Sequence, residues 1–385
     1  MTPMAPIRYS RPLDGIRAIA VLMVMCFHYG YFAAGWVGVQ IFFTLSGYLI
    51  TGILLQSRGN SLGVFMGNFY WHRAVRILPL LYVFLFVVAV IYAIFGVPIS
   101  FRSDWPSLVT FTANFARMRP ADLGPCLVHI WSLAVEQQFY LVWPALLFFL
   151  SSRGFRFAVA GILIFSPLLR LAIFHGLTES GFDELYAGKA VYVLPFTQFD
   201  AFAVGAAIPL WDLDRMRNAG RWFLAALAAT AAAGLGVLAW AYFGFGRGGA
   251  FVASLGYAMF MVQSHEYVWG YSLLNLLSML GIICALQGIG PFRMLEARVL
   301  VWVGKISYGV YVYHLPLLRL GESAMERVGL GLHGIIRPVF FVVWVALVMV
   351  VSDFSFRKLE TPFLRLKNYW RTGAEPQASR IERRT

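Results

Sequence analysis

The feature that most limits what this chain can become is the recurrence of apolar stretches long enough to cross a bilayer. A hydrocarbon core of ~30 Å needs about 20 mostly apolar residues per helix. Such stretches lie near 13–31, 36–56, 77–97, 130–150, 156–175, 190–210, 221–243, 270–289, 300–320 and 335–355. In lipid the backbone must satisfy its own hydrogen bonds, so each is expected to be an α-helix. Of 385 residues, 60% are hydrophobic and 13% charged, against ~45–50% and ~25% in a soluble domain. Mean hydropathy is +0.71. A soluble enzyme, a secreted disulfide scaffold and a disordered chain are excluded. The expected fold class is an all-α polytopic membrane protein, a bundle of about ten transmembrane helices with no internal repeat.

Sidedness follows from Lys and Arg, which gather in cytoplasmic loops. Arg8, Arg11 and Arg17 stand at the first stretch, and Arg357, Lys358, Arg365, Lys367, Arg371, Arg380, Arg383 and Arg384 follow the last. Both termini are therefore expected in the cytoplasm, which requires an even number of crossings. Ten satisfies this if the short Gly- and aromatic-rich stretch at 249–266 does not cross, or is re-entrant. The basic loops at 57–76, 151–156, 211–221 and 290–305 then fall inside, and 176–189, with Glu179, Asp183 and Glu184, falls outside. Arg102, Arg117 and Arg119 run against this trend in a Pro-containing, ordered outer loop over about 98–129.

The formal charge of +13 is spread thinly over loops and tail. It fits anionic lipid headgroups and not nucleic acid, for which no basic domain or recognition motif exists. Cys26, Cys126 and Cys284 form neither a disulfide framework nor a metal spacing. No metal and no bound cofactor is expected. The first stretch is expected to be retained as a span, because its apolar run of ~18 residues exceeds the ~7–15 of a leader core.

Ionisable groups inside a span cost ~2.5 kcal/mol or more each, which makes them functional candidates. Arg17 and His28 are eleven residues apart in the first stretch, hence on one helical face and ~16 Å apart along the axis. Asp14 is placed to pair with Arg17. His28 has the chemistry of a general base for a hydroxyl; the bland alternative is an interfacial histidine capping a helix end. Arg73 and Arg76 share a face at the cytoplasmic start of the third stretch, where two guanidinium forks suit phosphate oxygens as well as ordinary lipid anchoring. In the fourth stretch His129, Ser132, Glu136 and Tyr140 fall on one stripe. Glu136 is expected either to hold an imidazole in its working tautomer or to tie helices together. Asp200, next to Ala201 and near Gly205, reads as a packing-site polar group or a site residue, and His314 is similarly open. No phosphate loop, dinucleotide fingerprint or hydrolase elbow is present, and Ser46-Gly47 lacks the elbow's context.

Taken together, these segments resemble the acyltransferase 3 family of integral membrane O-acyltransferases acting on glycans. The resemblance runs over almost the whole chain. It begins with Leu13-Asp14-Gly15-Ile16-Arg17 and Arg17 with His28, continues through Gly38–Ile50 and Arg73-x-x-Arg76, then Trp131-Ser132-Leu133-Ala134-Val135-Glu136-Gln137-Gln138-Phe139-Tyr140, Ser307-Tyr308-Gly309-Val310-Tyr311 with His314, and Glu360-Thr361-Pro362. It implies transfer of an acyl group, acetyl first and succinyl or longer as alternatives, from cytoplasmic acyl-CoA to a saccharide hydroxyl at the outer side of a bacterial inner membrane. Exopolysaccharide and lipopolysaccharide O-antigen are the implied acceptor classes. It also implies roles for His28 and Arg17 in catalysis and for Arg73 and Arg76 on the donor; in the mechanism that follows, Glu136 is expected to orient His28. Ser132, Tyr140, Asp14, Asp200 and His314 are left as a substrate-binding or structural polar network. Ten spans are common in the family, and some members carry a fused esterase-like domain that is not expected here. The expected division is a membrane domain over 1–370 and a basic, disordered cytoplasmic tail over 371–385. The competing reading is a transporter using Arg17, His28, Glu136 and Asp200 as a proton or substrate path; a third is a lipid-binding or scaffold protein of an exopolysaccharide assembly complex.

Overall fold

The computed structural model describes residues 10–95, 99–119, 123–245, 252–262 and 265–367, and among them no strand occurs. The helices run in the order α1 (Arg11–Tyr29), α2 (Val37–Gln56), α3 (Leu62–Phe95), α4 (Ile99–Val109), α5 (Ala113–Ala116), α6 (Ile130–Phe149), α7 (Ser152–Glu179), α8 (Glu184–Val193), α9 (Pro195–Leu210), α10 (Ala219–Phe245), α11 (Glu266–Leu286), α12 (Arg298–Arg327), α13 (Ile336–Ser355) and α14 (Thr361–Arg365). Among the described residues seven are long and apolar enough to cross a membrane, some with short helical turns at their ends, and α8 with α9 forms an eighth candidate bent by 44°. The multi-pass helical class is as expected; the number of such helices is lower than ten. The difference lies in α6 and α12, of 20 and 30 residues. Glu136, Gln137 and Gln138 in α6, and Lys305, His314, Arg319 and Glu322 in α12, make both too polar to stand out as spans. Of these, Glu136 and His314 belong to the site described below.

The bend between α8 and α9 has a local cause. Leu194 precedes Pro195 and is extended, with φ −74° and ψ 139°, as the residue before a proline prefers. The carbonyls left over are taken by side chains. Thr197 Oγ1 donates to Val191 O at 2.6 Å and to Leu194 O at 2.7 Å, and Gln198 Nε2 donates to Val191 O at 3.1 Å. A broken helix is tolerated in a membrane when its freed backbone groups find such partners.

Two close crossings fix the helices that carry the site. Where α2 meets α9, a Cβ on Gly47 would stand 2.0 Å from Phe202 O, and one on Gly205 1.9 Å from Thr44 O. Where α1 meets α12, a Cβ on Gly304 would stand 1.9 Å from Asp14 O. Only glycine permits this approach of backbones, the usual means by which membrane helices gain contact. Gly205 thus performs the packing expected of it.

The stretch at 249–266 does not cross as one helix over its described residues 252–262. It lies against the bundle instead: Trp36 Nε1 donates to Tyr257 O at 3.1 Å, and Tyr257 OH donates to Thr230 O at 2.7 Å. The described part of the 98–129 loop is ordered by α4, α5 and the ion pair of Arg119 with Asp104 at 2.6 Å. The expected tail at 371–385 lies outside the described residues, as do Arg8, Pro98 and Pro120.

Candidate active site

Five helices converge on a cavity lined by Arg17 of α1, Ser46 of α2, Arg73 and Arg76 of α3, Glu136 and Tyr140 of α6, and Tyr311 of α12. Arg17 donates to Asp14 at 2.5 Å, one turn earlier on the same helix, as the three-residue spacing dictates. Arg73 lies against two aromatic faces, 6.0 Å from the centroid of Phe69 and 5.8 Å from that of Tyr140, a cation–π arrangement that holds a guanidinium in place. Its Nε is buried and without a partner. Tyr140 OH in turn donates to Glu136 Oε1 at 2.6 Å, and Ser46 Oγ donates to the same oxygen. Glu136 therefore braces the ring on which Arg73 rests.

The end of the described chain folds over this cluster. Trp71 Nε1 donates to Leu366 O at 3.0 Å, and His72 Nε2 lies 3.1 Å from Lys367 O. The Lys367 ammonium is pushed down to about 8, first by burial, then by repulsion from Arg76 and Arg73. Cations held this closely form a cleft for an anion. The cavity volume of about 130 Å³ is well below the ~300–1,000 Å³ of a site that encloses a drug-sized ligand. A narrow chain fits inside; a nucleotide has to stay at the mouth.

A second cavity, of about 150 Å³, is lined by His28, His129, Trp36, Trp131, Tyr192 and Arg117, among others. His28 and Arg17 are both on α1, ~16 Å apart, so one helix reaches from the cationic cavity to this one. Val39 and Tyr311 line both cavities, and Tyr311 OH is hydrogen-bonded to Ser132 Oγ and donates to His129 O at 3.0 Å.

The partners of His28 decide its tautomer. His314 Nδ1 lies 2.7 Å from Tyr311 O and 3.2 Å from Val310 O. Carbonyls only accept, so Nδ1 carries the proton and Nε2 of the neutral ring holds a lone pair. That Nε2 is 3.0 Å from His28 Nδ1, which must then be the N–H, with Val24 O at 3.1 Å as its other neighbour. The Nε2 lone pair of His28 is left free to accept a proton. Trp344 Nε1 donates to His314 O at 3.0 Å and pins that helix turn.

The expected residues thus divide three ways. Asp14, Arg17, Arg73, Arg76, Ser132, Glu136 and Tyr140 meet at the first cavity. His28 lines the second, and His314 is hydrogen-bonded to His28. Asp200 is in neither; it is ion-paired with Arg170 of α7, whose Nε also donates to Thr197 O at 2.8 Å. The expected contact of Glu136 with His28 is not formed: Glu136 binds Ser46 and Tyr140, and the orienting partner of His28 is His314. The reason is helical geometry, since Glu136 sits two turns along α6 from His129, the residue of that helix nearest the histidines. Tyr311, Lys367 and Arg170 had no site role in the sequence reading. Of these Arg170 left a signal, a lone charge in the middle of an apolar stretch.

The fold is thus a polytopic helical bundle in which a cationic cavity and a histidine-lined cavity share Val39 and Tyr311. The chain belongs to the acyltransferase 3 family: the family model, described as an acyltransferase domain, matches residues 12–356. OatA of Listeria monocytogenes, a peptidoglycan O-acetyltransferase, is 29% identical over an alignment covering 92% of this chain and 56% of its own. YrhL of Bacillus subtilis, whose name assigns it the same activity provisionally, is 28% identical over 92% of this chain and 55% of its own. The chain spans about half the length of these curated relatives. No solved structure matches it.

Proposed function

We propose that this protein transfers an acyl group, acetyl first, from cytoplasmic acyl-CoA to a hydroxyl of a bacterial cell-envelope saccharide. The acceptor class expected first was exopolysaccharide or O-antigen; the names of the relatives add peptidoglycan. The observation that carries the reading is the pair of cavities on one helix, Arg17 at one and His28 at the other, meeting at Tyr311. In this reading α6 and α12 join the eight apolar candidates as crossings of the inner membrane, ten in all, with both termini cytoplasmic, the arginine cavity on the inner side and the histidine cavity on the outer side. No observation favours transport, and Arg170 accounts for Asp200 without a proton path.

In this mechanism Arg73, Arg76, Arg17 and Lys367 bind the phosphates of coenzyme A, and the pantetheine arm enters past Ser132 and Tyr311. The acceptor oxygen attacks the thioester carbonyl carbon while its proton passes to His28 Nε2. The tetrahedral intermediate collapses with loss of the C–S bond. The imidazolium returns the proton to the departing thiolate, leaving an ester and free coenzyme A. Glu136 acts on the donor side, through Tyr140 and Arg73.

Membranes containing the wild-type protein, given radiolabelled acetyl-CoA, should label envelope glycan. Arg73→Ala should raise the donor KM at least ten-fold, because one charge-assisted contact to phosphate contributes roughly 1.5–3 kcal/mol. Equal labelling by both proteins at low donor concentration would remove Arg73 from the donor site; no labelling with acetyl- or succinyl-CoA would end the transferase reading.

The donor should also bind in a pH-dependent way. Lys367 is charged below about 8, and phosphates raise its affinity for the proton. Donor KM should therefore be flat below pH 8 and rise above it as the free enzyme loses that charge. Lys367→Met should raise KM and abolish the dependence between pH 7 and 9; a profile unchanged by the substitution would exclude Lys367 from the site.

A further inference from the structure

The proposed chemistry uses His28, oriented by His314, and leaves the other histidine lining the outer cavity unexplained. His129 is 2% exposed and lies with its ring centroid 5.0 Å from that of His314. Its Nε2 is 3.2 Å from Val312 O, which must accept, so Nε2 carries the proton and Nδ1 of the neutral ring holds the lone pair. That Nδ1 is buried and has no hydrogen-bond partner. A buried acceptor without a donor is costly and rare in a folded protein. His129 lines a cavity together with Trp36, Trp131 and Tyr192, flat rings of the kind that receive the face of a sugar.

We propose that His129 is an acceptor-binding residue: its Nδ1 takes a hydrogen bond from a hydroxyl next to the one that is acylated. This rests on the acyl-transfer reading above and narrows its acceptor to a saccharide with neighbouring hydroxyl groups. His28 Nε2 and His129 Nδ1 both belong to rings packed on His314, each with centroids 5.0 Å from it. The cavity thus offers two lone pairs and asks for two donors. A saccharide with neighbouring hydroxyl groups supplies both. An alcohol with a single hydroxyl leaves one lone pair stranded, and a site built around a substrate hydroxyl discriminates strongly against the analogue lacking it.

The test separates the two nitrogens of the ring. Membranes carrying wild type, His129→Phe, His129→Gln or His129→Asn receive radiolabelled acetyl-CoA and graded amounts of glycan strands solubilised from the host envelope. Phe keeps the ring and loses both nitrogens; Gln keeps a donor for Val312 O; Asn puts an oxygen acceptor near the position of Nδ1. Acceptor KM should rise ten-fold or more in Phe and Gln, with donor KM unchanged, and Asn should recover most of the loss. Recovery by Gln and not by Asn would make His129 a brace on Val312 and overturn the proposal, as would an acceptor KM unchanged in all three. Absence of glycan labelling by the wild type with either acetyl- or succinyl-CoA would show that the transferase reading itself had failed, and the inference would fall with it.

Discussion

His28→Gln should lower the rate of acyl transfer ~10²- to 10⁴-fold, the range by which a positioned general base accelerates a proton transfer, and leave the donor KM within a factor of two. The two halves of that result come from the geometry of one helix. Glutamine keeps the length of the side chain and a polar end near Nε2, but an amide does not accept a proton at working pH, so the chemistry is lost while the cavity keeps its shape. Arg17, which lines the cationic cavity, lies ~16 Å away along α1 and is held by Asp14 at 2.5 Å; nothing in the substitution disturbs it. His314→Ala should be milder, because it removes the group that fixes the tautomer at 3.0 Å from Nδ1 and not the base itself. The measurement is acetyl transfer in membranes at saturating acceptor, with protein abundance checked by immunoblot. Full activity of His28→Gln would remove His28 from the reaction. A large rise in donor KM with little change in kcat would move it to the donor site.

How much of this was legible in the chain depends on which physical signal a residue leaves. The α-helices with lipid-facing sides are written in runs of apolar residues, and α3, α7, α10 and α13 are read directly from them. Helical spacing put Asp14 beside Arg17 and both on the face with His28, since those relations lie within one helix. Relations between helices have no such signature. Glu136 and His28 are both polar residues in spans, and nothing local says that α6 turns Glu136 toward Arg73's support and His129 toward the histidines. Tyr311 stands at the junction of both cavities, yet in sequence it is one aromatic among many. The break at Leu194-Pro195 could have been anticipated from the proline; its 44° bend depends on Thr197 and Gln198 capturing the freed carbonyls. Lys367 belongs to the site only because Trp71 and His72 hold the chain end over α3.

Asp200→Ala should destabilise the protein by ~3–5 kcal/mol, the cost of leaving one partner of a buried ion pair uncompensated. Arg170 is 0% exposed and its guanidinium is fully engaged around α9 and α11: paired with Asp200, 2.8 Å from Thr197 O, 3.1 Å from Val268 O and 5.1 Å from the Tyr271 ring centroid. With Asp200 gone, a full charge remains in the apolar interior with only neutral acceptors, and carbonyl dipoles offset it in part. The pair joins α7, α9 and α11 close to the α8–α9 break, so its loss should be felt as lower thermal stability in detergent, by several degrees in Tm. Replacing both partners, Arg170→Met with Asp200→Leu, should recover most of that, because apolar side chains of similar volume often serve as well as a buried pair. The same variants separate a structural pin from a relay. A pin predicts that the double variant regains activity per folded molecule along with its stability. A relay or a site residue predicts that it refolds and stays inactive, which would return Asp200 to the chemistry and require the donor path to run between α9 and α11.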